Sequence, residues 1–160
     1  MLNFFKKEKK FQLFAPISGN VCPISEAADP VFAEKIVGDG VFINAEDTQI
    51  LAPCAGEISF VAETKHAFAM TLDNGVEVLV HIGLETVALK GEGFTQLVTQ
   101  GTRVKVGTPI IAIDRDFILS RGVSLSSPIL ITNPEVTKSL IVETGVRAIA
   151  GKTVILEYTL

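Results

Sequence analysis

The chain has 160 residues, 48% of them hydrophobic and 20% charged, with a formal charge of −4 at pH 7 and two cysteines. That apolar content supports one compact core and excludes disorder, and an acidic balance with no basic stripe in the body excludes nucleic acid as the partner. The longest apolar runs, 76–84 and 106–113, are too short or too charged to span a bilayer, and no secretory signal opens the chain, so the expected location is the cytoplasm.

The first twelve residues read as a flexible tail, with Leu2, Phe4 and Phe5 followed by four lysines, and 13–160 as a single domain. A weak membrane-surface or acidic-partner tether is the alternative use of those lysines, so membrane contact is at most peripheral. The segment Phe14-Ala15-Pro16-Ile17-Ser18-Gly19-Asn20-Val21 is repeated as Leu51-Ala52-Pro53-Cys54-Ala55-Gly56-Glu57-Ile58, 37 residues on. Turn signals at Gly19, Gly38-Asp39-Gly40, Gly56, Asn74-Gly75, Gly91-Glu92-Gly93, Gly101, Gly107 and Gly122 separate Val/Ile/Leu-rich segments. This spacing predicts an all-β, antiparallel sandwich with a duplicated β motif. One helical turn fits Val31 to Ile36, and Asp114 to Arg121 fits a short helix stopped by Gly122. Cys22 and Cys54 sit in strand-like segments and read as reduced, buried thiols without a role.

His66 and His81 are the two histidines, fifteen residues apart on either side of Leu72-Asp73-Asn74-Gly75-Val76. A two-residue Asn74-Gly75 turn pairs Asp73 with Val76, Phe68 with His81 and His66 with Gly83, which puts both imidazoles on one face as diagonal neighbours, roughly 7–8 Å apart at the backbone. That face would also carry Phe68, Met70, Leu72 and Leu79, lowering the dielectric around the rings. A three-residue loop would shift the pairing by one and send the rings to opposite faces, and two unrelated strand histidines are the bland reading.

Other chemistries lack their parts. Gly91-Glu92-Gly93-Phe94 has neither the third glycine of a dinucleotide loop nor the Lys-Ser/Thr of a P-loop, and reads as a turn. No G-x-S-x-G elbow or His-Glu-x-x-His helix is present, and the absence of a His-x-His pair disfavours a zinc peptidase. Two histidines do not complete a zinc site, so His66 and His81 could hold a metal only jointly with a partner. Without metal, two neutral imidazoles on an apolar face can carry a phosphoryl group: one accepts and passes it, its neighbour stabilises charge, and the apolar rim docks partners.

Three stretches carry a resemblance, Val31-Phe32-Ala33-Glu34-Lys35-Ile36-Val37-Gly38-Asp39-Gly40, Glu63-Thr64-Lys65-His66-Ala67-Phe68, and Val80-His81-Ile82-Gly83-Leu84-Glu85-Thr86-Val87-Ala88-Leu89-Lys90-Gly91-Glu92-Gly93-Phe94. Over about residues 13 to 159 the chain resembles the glucose-type IIA components of the bacterial phosphoenolpyruvate-dependent sugar phosphotransferase system. The resemblance implies an antiparallel β-sandwich, no cofactor, and a phosphohistidine carrier that takes its group from HPr on His81 and gives it to the cysteine of a IIB domain. It implies His66 as the partner of His81, Thr64 as the group orienting His66, and the backbone at Gly83 as the holder of His81. It implies a docking face of Val31, Phe32, Ile36, Val37 and Leu79 rimmed by Asp29 and Glu85. Permeases or metabolic kinases are the regulatory partners it suggests. Ala62 and Leu79 stand where phenylalanine is common in such proteins and Glu85 where aspartate is, which bears on partner affinity. Because Met1 lies about a dozen residues before the domain, the chain reads as a separate protein and not as the end of a fused transporter.

Overall fold

In the computed structural model, which describes residues 7–160, the regular secondary structure is almost entirely β. The strands in chain order are β1 (Phe11–Phe14), β2 (Gly19–Pro23), β3 (Asp39–Asn44), β4 (Gln49–Leu51), β5 (Gly56–Val61), β6 (Ala67–Thr71) and β7 (Glu77–His81). They continue with β8 (Phe94–Gln96), β9 (Arg103–Val104), β10 (Pro109–Ile113), β11 (Ser126–Ile131), β12 (Ser139–Val142), β13 (Arg147–Ala148) and β14 (Val154–Thr159). Two short helices interrupt them, α1 (Pro30–Ala33) and α2 (Arg115–Ser120). Asp29 and Asp114 cap these helices, accepting hydrogen bonds from the backbone N–H of Val31 and Phe117, and Gly122 ends the second in the left-handed region at φ 71°.

Every strand pairing is antiparallel. An eight-stranded sheet in the order β13-β2-β3-β11-β7-β6-β5-β9 packs one face against two three-stranded sheets, β1-β14-β12 and β4-β10-β8. Leu13, Ile17, Ile50, Ile58, Phe68, Met70, Val80, Ile111 and Tyr158 meet in the single main core between them. The repeated Ala-Pro motifs are structural equivalents that bond to each other: Phe14 N–H donates to Pro53 and Leu51 N–H to Pro16, at 2.8 and 2.9 Å. A second duplication, Gly101–Ile110 against Gly145–Val154, is offset by 44 residues and follows the first. Gly107 and Gly151 donate to the equivalent carbonyls of Ala52 and Ala15, and Gly101 and Gly145 to those of Ile58 and Val21.

Two expectations change here. Strand β1 takes in Phe11 and Gln12, which the sequence reading gave to the tail. The tail's first six residues lie outside the described ones; Lys10 stands 3.5 Å from Glu157, and Lys9 lies over the Phe11 ring. The second change concerns the central hairpin. Ala67 pairs with His81, Phe68 with Val80 and Ala69 with Leu79, so the loop has three residues, Asp73-Asn74-Gly75. Leu72 exchanges hydrogen bonds with Gly75 and Val76, and Gly75 alone in the loop has a positive φ, 88°. A two-residue Asn-Gly turn needs both residues there. Asn74 is held otherwise: its side chain accepts from Val76 N–H and donates to the Tyr158 hydroxyl at 2.8 Å.

Candidate functional site

The outer face of the large sheet carries a second, smaller apolar cluster, Ile24, Phe32, Phe42, Leu84 and Leu130, with Cys22, Ala27, Val37 and Leu79 packed at its margin. In β7, Val78 and Val80 enter the main core, and the intervening Leu79 and His81 face outward onto this cluster. Phe68, Met70 and Leu72, expected beside the histidines, belong to the main core because of the one-residue register change. Their place is taken by Phe32 from α1, 94% buried, whose ring centroid lies 5.1 Å from that of His81. Burying such a ring contributes about 2 kcal/mol, which pins α1 over the site.

The imidazoles of His66 and His81 meet with centroids 5.0 Å apart and planes at 78°. His66 precedes β6, so it is not bound to the alternation that the shifted register would impose. His81 Nδ1 lies 2.7 Å from the carbonyl oxygen of Gly83. A carbonyl only accepts, so Nδ1 carries the proton and Nε2 keeps its lone pair. His66 Nδ1 lies 2.6 Å from Thr64 Oγ1, a hydroxyl that can donate or accept and so permits either tautomer.

Both rings are half-buried, and burial pulls their pKa values below the ordinary 6.5. For His66 the neighbouring His81 adds to the lowering; for His81 the Gly83 hydrogen bond and the Asp29 carboxylate oppose it in part. Both are therefore neutral at pH 7. Since the unfolded chain takes up these protons at a higher pH than the folded one, stability should fall as pH drops below about 6.5 and level off once both folded rings are charged. Urea unfolding between pH 7 and 5 checks this, and His66→Gln should flatten the curve; a slope unchanged by that substitution would contradict it.

Residues 11–137 match the family described as "phosphoenolpyruvate-dependent sugar phosphotransferase system, EIIA 1". The chain belongs to that family. It is 39% identical over 152 residues to the "PTS system glucose-specific EIIA component" of Staphylococcus epidermidis, covering 95% of this chain and 92% of the relative. It is 42% identical to the component of the same description from Buchnera aphidicola subsp. Acyrthosiphon pisum, over 95% and 94%. "Glucose permease IIA from Mycoplasma capricolum" superposes with a TM-score of 0.86 at 35% identity, covering 98% of this chain and 99% of that one. An EIIA component relays a phosphoryl group from HPr to a IIB component of a sugar permease, and this chain is such a phosphotransferase component.

Of the other residues singled out from sequence, Phe32, Val37 and Leu79 belong to this cluster. Val31 and Ile36 are exposed, Val37 and Leu79 partly buried, and Phe32 lies beneath them against His81. Asp29 and Glu85 line one recess together with Leu84 and Ser124. Two buried hydroxyls escaped the sequence reading. Ser127 Oγ accepts from Gly83 N–H at 3.0 Å and donates to the Leu125 carbonyl, and Thr86 Oγ1 donates to the Ile82 carbonyl at 2.6 Å. Both fix the Ile82–Gly83 peptide, which directly precedes the Gly83 carbonyl that holds His81; the serine pair Ser126-Ser127 inside the otherwise apolar run 125–131 was the available signal. Cys54 is buried and its thiol is pushed up to about 12 by that burial, whereas Cys22 is only half-buried. Among the described residues no group of three His, Cys, Asp or Glu side chains converges as a metal site, and no helix is long and apolar enough to cross a membrane.

Proposed function

We propose that His81 is the phosphoryl acceptor of this EIIA component and His66 its partner. The observation that carries this reading is the Nδ1–H···O=C hydrogen bond to Gly83, which leaves His81 Nε2 as a nucleophile beside a second neutral ring. Nε2 attacks the phosphorus of the donor in line, forming one N–P bond as the donor's own bond to phosphorus breaks. In the second transfer a cysteine thiolate of IIB attacks, the Nε2–P bond breaks, and its electron pair returns to His81. With Thr64 Oγ1–H donating to its Nδ1, His66 presents Nε2–H to the phosphoryl oxygens and stabilises the charge that shifts during transfer. Val31, Ile36, Val37 and Leu79 form the docking face, with Phe32 as its support and Asp29 and Glu85 meeting basic groups of HPr and IIB at the rim. The reading keeps the protein in the cytoplasm and takes 11–160, with β1 included, as the relay unit.

The test is incubation with phosphoenolpyruvate, enzyme I and HPr, scored by intact mass. The protein should gain one phosphate, about 80 Da. His66→Gln should still accept it from HPr but pass it to IIB at least about tenfold more slowly, since its amide cannot take up positive charge. Equal losses in both steps would refute the division of labour, and no gain by the unaltered protein in an active system would sink the reading.

A further inference from the structure

The pairing that places Ala67 opposite His81 continues one residue further, where Ile82 N–H donates to the His66 carbonyl at 2.7 Å. Ile82 is fully buried in the main core. A regular strand would send the side chain of His66 to that same core face, because Ala67 and His81 face outward and neighbouring residues alternate. The His66 ring instead meets His81 on the outer face. Something local must reverse it.

The loops at the two ends of β6 show what does. At one end, Leu72 accepts from Gly75 N–H and donates to the Val76 carbonyl, with Gly75 left-handed at φ 88°. At the other, Ala62 accepts from Lys65 N–H in the same way, with Lys65 left-handed at φ 59°, but Ala62 N–H donates to Ala67 and skips His66. His66 is therefore an extra, bulged residue directly after a left-handed one, the arrangement that frees a side chain from the sheet's alternation. The same turn brings Thr64 Oγ1 to 2.6 Å from His66 Nδ1. Lysine has no intrinsic reason to adopt this backbone, where glycine and asparagine are favoured.

We infer that Lys65 is a positioning residue of the phosphoryl relay, and that it acts through its left-handed backbone, not its ammonium group, by turning the His66 ring away from the core and onto His81. The inference rests on the assignment of His66 as the partner in transfer, and its first readout does not depend on that assignment. Lys65→Gly and Lys65→Asn should keep the nitrogen chemical-shift pattern of a His66 Nδ1 hydrogen-bonded to Thr64 in the unphosphorylated protein, whereas Lys65→Val, whose branched side chain resists φ near 60°, should lose it. In the relay, Gly and Asn should transfer to IIB within about twofold of the unaltered protein, and Val should be ten- to a hundredfold slower, with acceptance from HPr little changed in all three. Loss of transfer in Gly and Asn as severe as in Val would overturn the inference in favour of the lysine's charge. An unchanged His66 signature in a folded Lys65→Val protein would overturn it outright. If the signature is lost but transfer stays normal, the positioning by Lys65 stands and the role of His66 in transfer falls.

Discussion

His81→Gln should abolish phosphorylation: with phosphoenolpyruvate, enzyme I and HPr in excess, intact mass should show no gain of about 80 Da over a period that fully converts the unaltered protein. The expected loss is at least about a thousandfold, the scale seen when a nucleophile is removed. The two rings are close enough that proximity alone does not choose between them. Tautomer does. His81 Nδ1 is tied to a carbonyl, which forces its proton onto that nitrogen and leaves Nε2 available at every pH above its pKa. That pKa lies below 6.5 through burial, so the nucleophilic form predominates at pH 7. His66 faces a hydroxyl, which leaves it free to present Nε2–H to a phosphate on its neighbour. The substitution should cost little stability, since His81 is half-buried and makes a single hydrogen bond with its ring. A phosphate gained by folded His81→Gln and lost by His66→Gln would reverse the assignment of the two rings.

The two histidines, their motifs and the sandwich were legible because each rests on local signals: turn residues at regular spacing, a repeated Ala-Pro motif and short runs of fixed sequence. The Asp114-capped helix was legible for the same reason. The register of the central hairpin was not. Asn74-Gly75 is locally a two-residue turn, and it is overridden by a contact from 84 residues away, the Asn74–Tyr158 hydrogen bond. The face composition then changed with it, since one residue of slip exchanged Phe68, Met70 and Leu72 for Ala67 and Ala69, while Leu79 kept its place beside His81. That the rings still meet depends on the bulge at His66, which no alternation of apolar and polar residues reports. The second duplication, 101–110 with 145–154, escaped notice because its matching side chains are few: it is carried by glycine spacing and by backbone hydrogen bonds to Ala15 and Ala52.

Gly83→Ala should damage the relay strongly, because it strikes the acceptor of the hydrogen bond that sets the nucleophile. Gly83 has φ 72°, and a Cβ there would lie 2.5 Å from the Ser124 carbonyl oxygen and 2.6 Å from the Thr86 methyl group. Neither neighbour can yield cheaply: the first is backbone whose carbonyl also accepts from Leu84 N–H, and Thr86 is fully buried and bonded to Ile82. The left-handed backbone costs a non-glycine residue about 1–2 kcal/mol and the overpacking about 1–3 kcal/mol more. At this chain length the total corresponds to a Tm lower by roughly 5–15 °C. The functional loss should exceed what stability explains, because relief of either clash moves the Gly83 peptide away from His81 Nδ1 and from Ser127. At a temperature where the variant is still folded, it should accept phosphate from HPr at least about tenfold more slowly, and the His81 nitrogen shifts should show a mixture of tautomers. Ser127→Ala removes the side-chain bond to the Gly83 N–H of the preceding peptide without adding bulk, and should give the same tautomer mixing with a smaller loss of rate. Normal acceptance by folded Gly83→Ala would mean that the carbonyl does not set the reactive nitrogen, and that the nucleophile of this site is selected by the incoming phosphate.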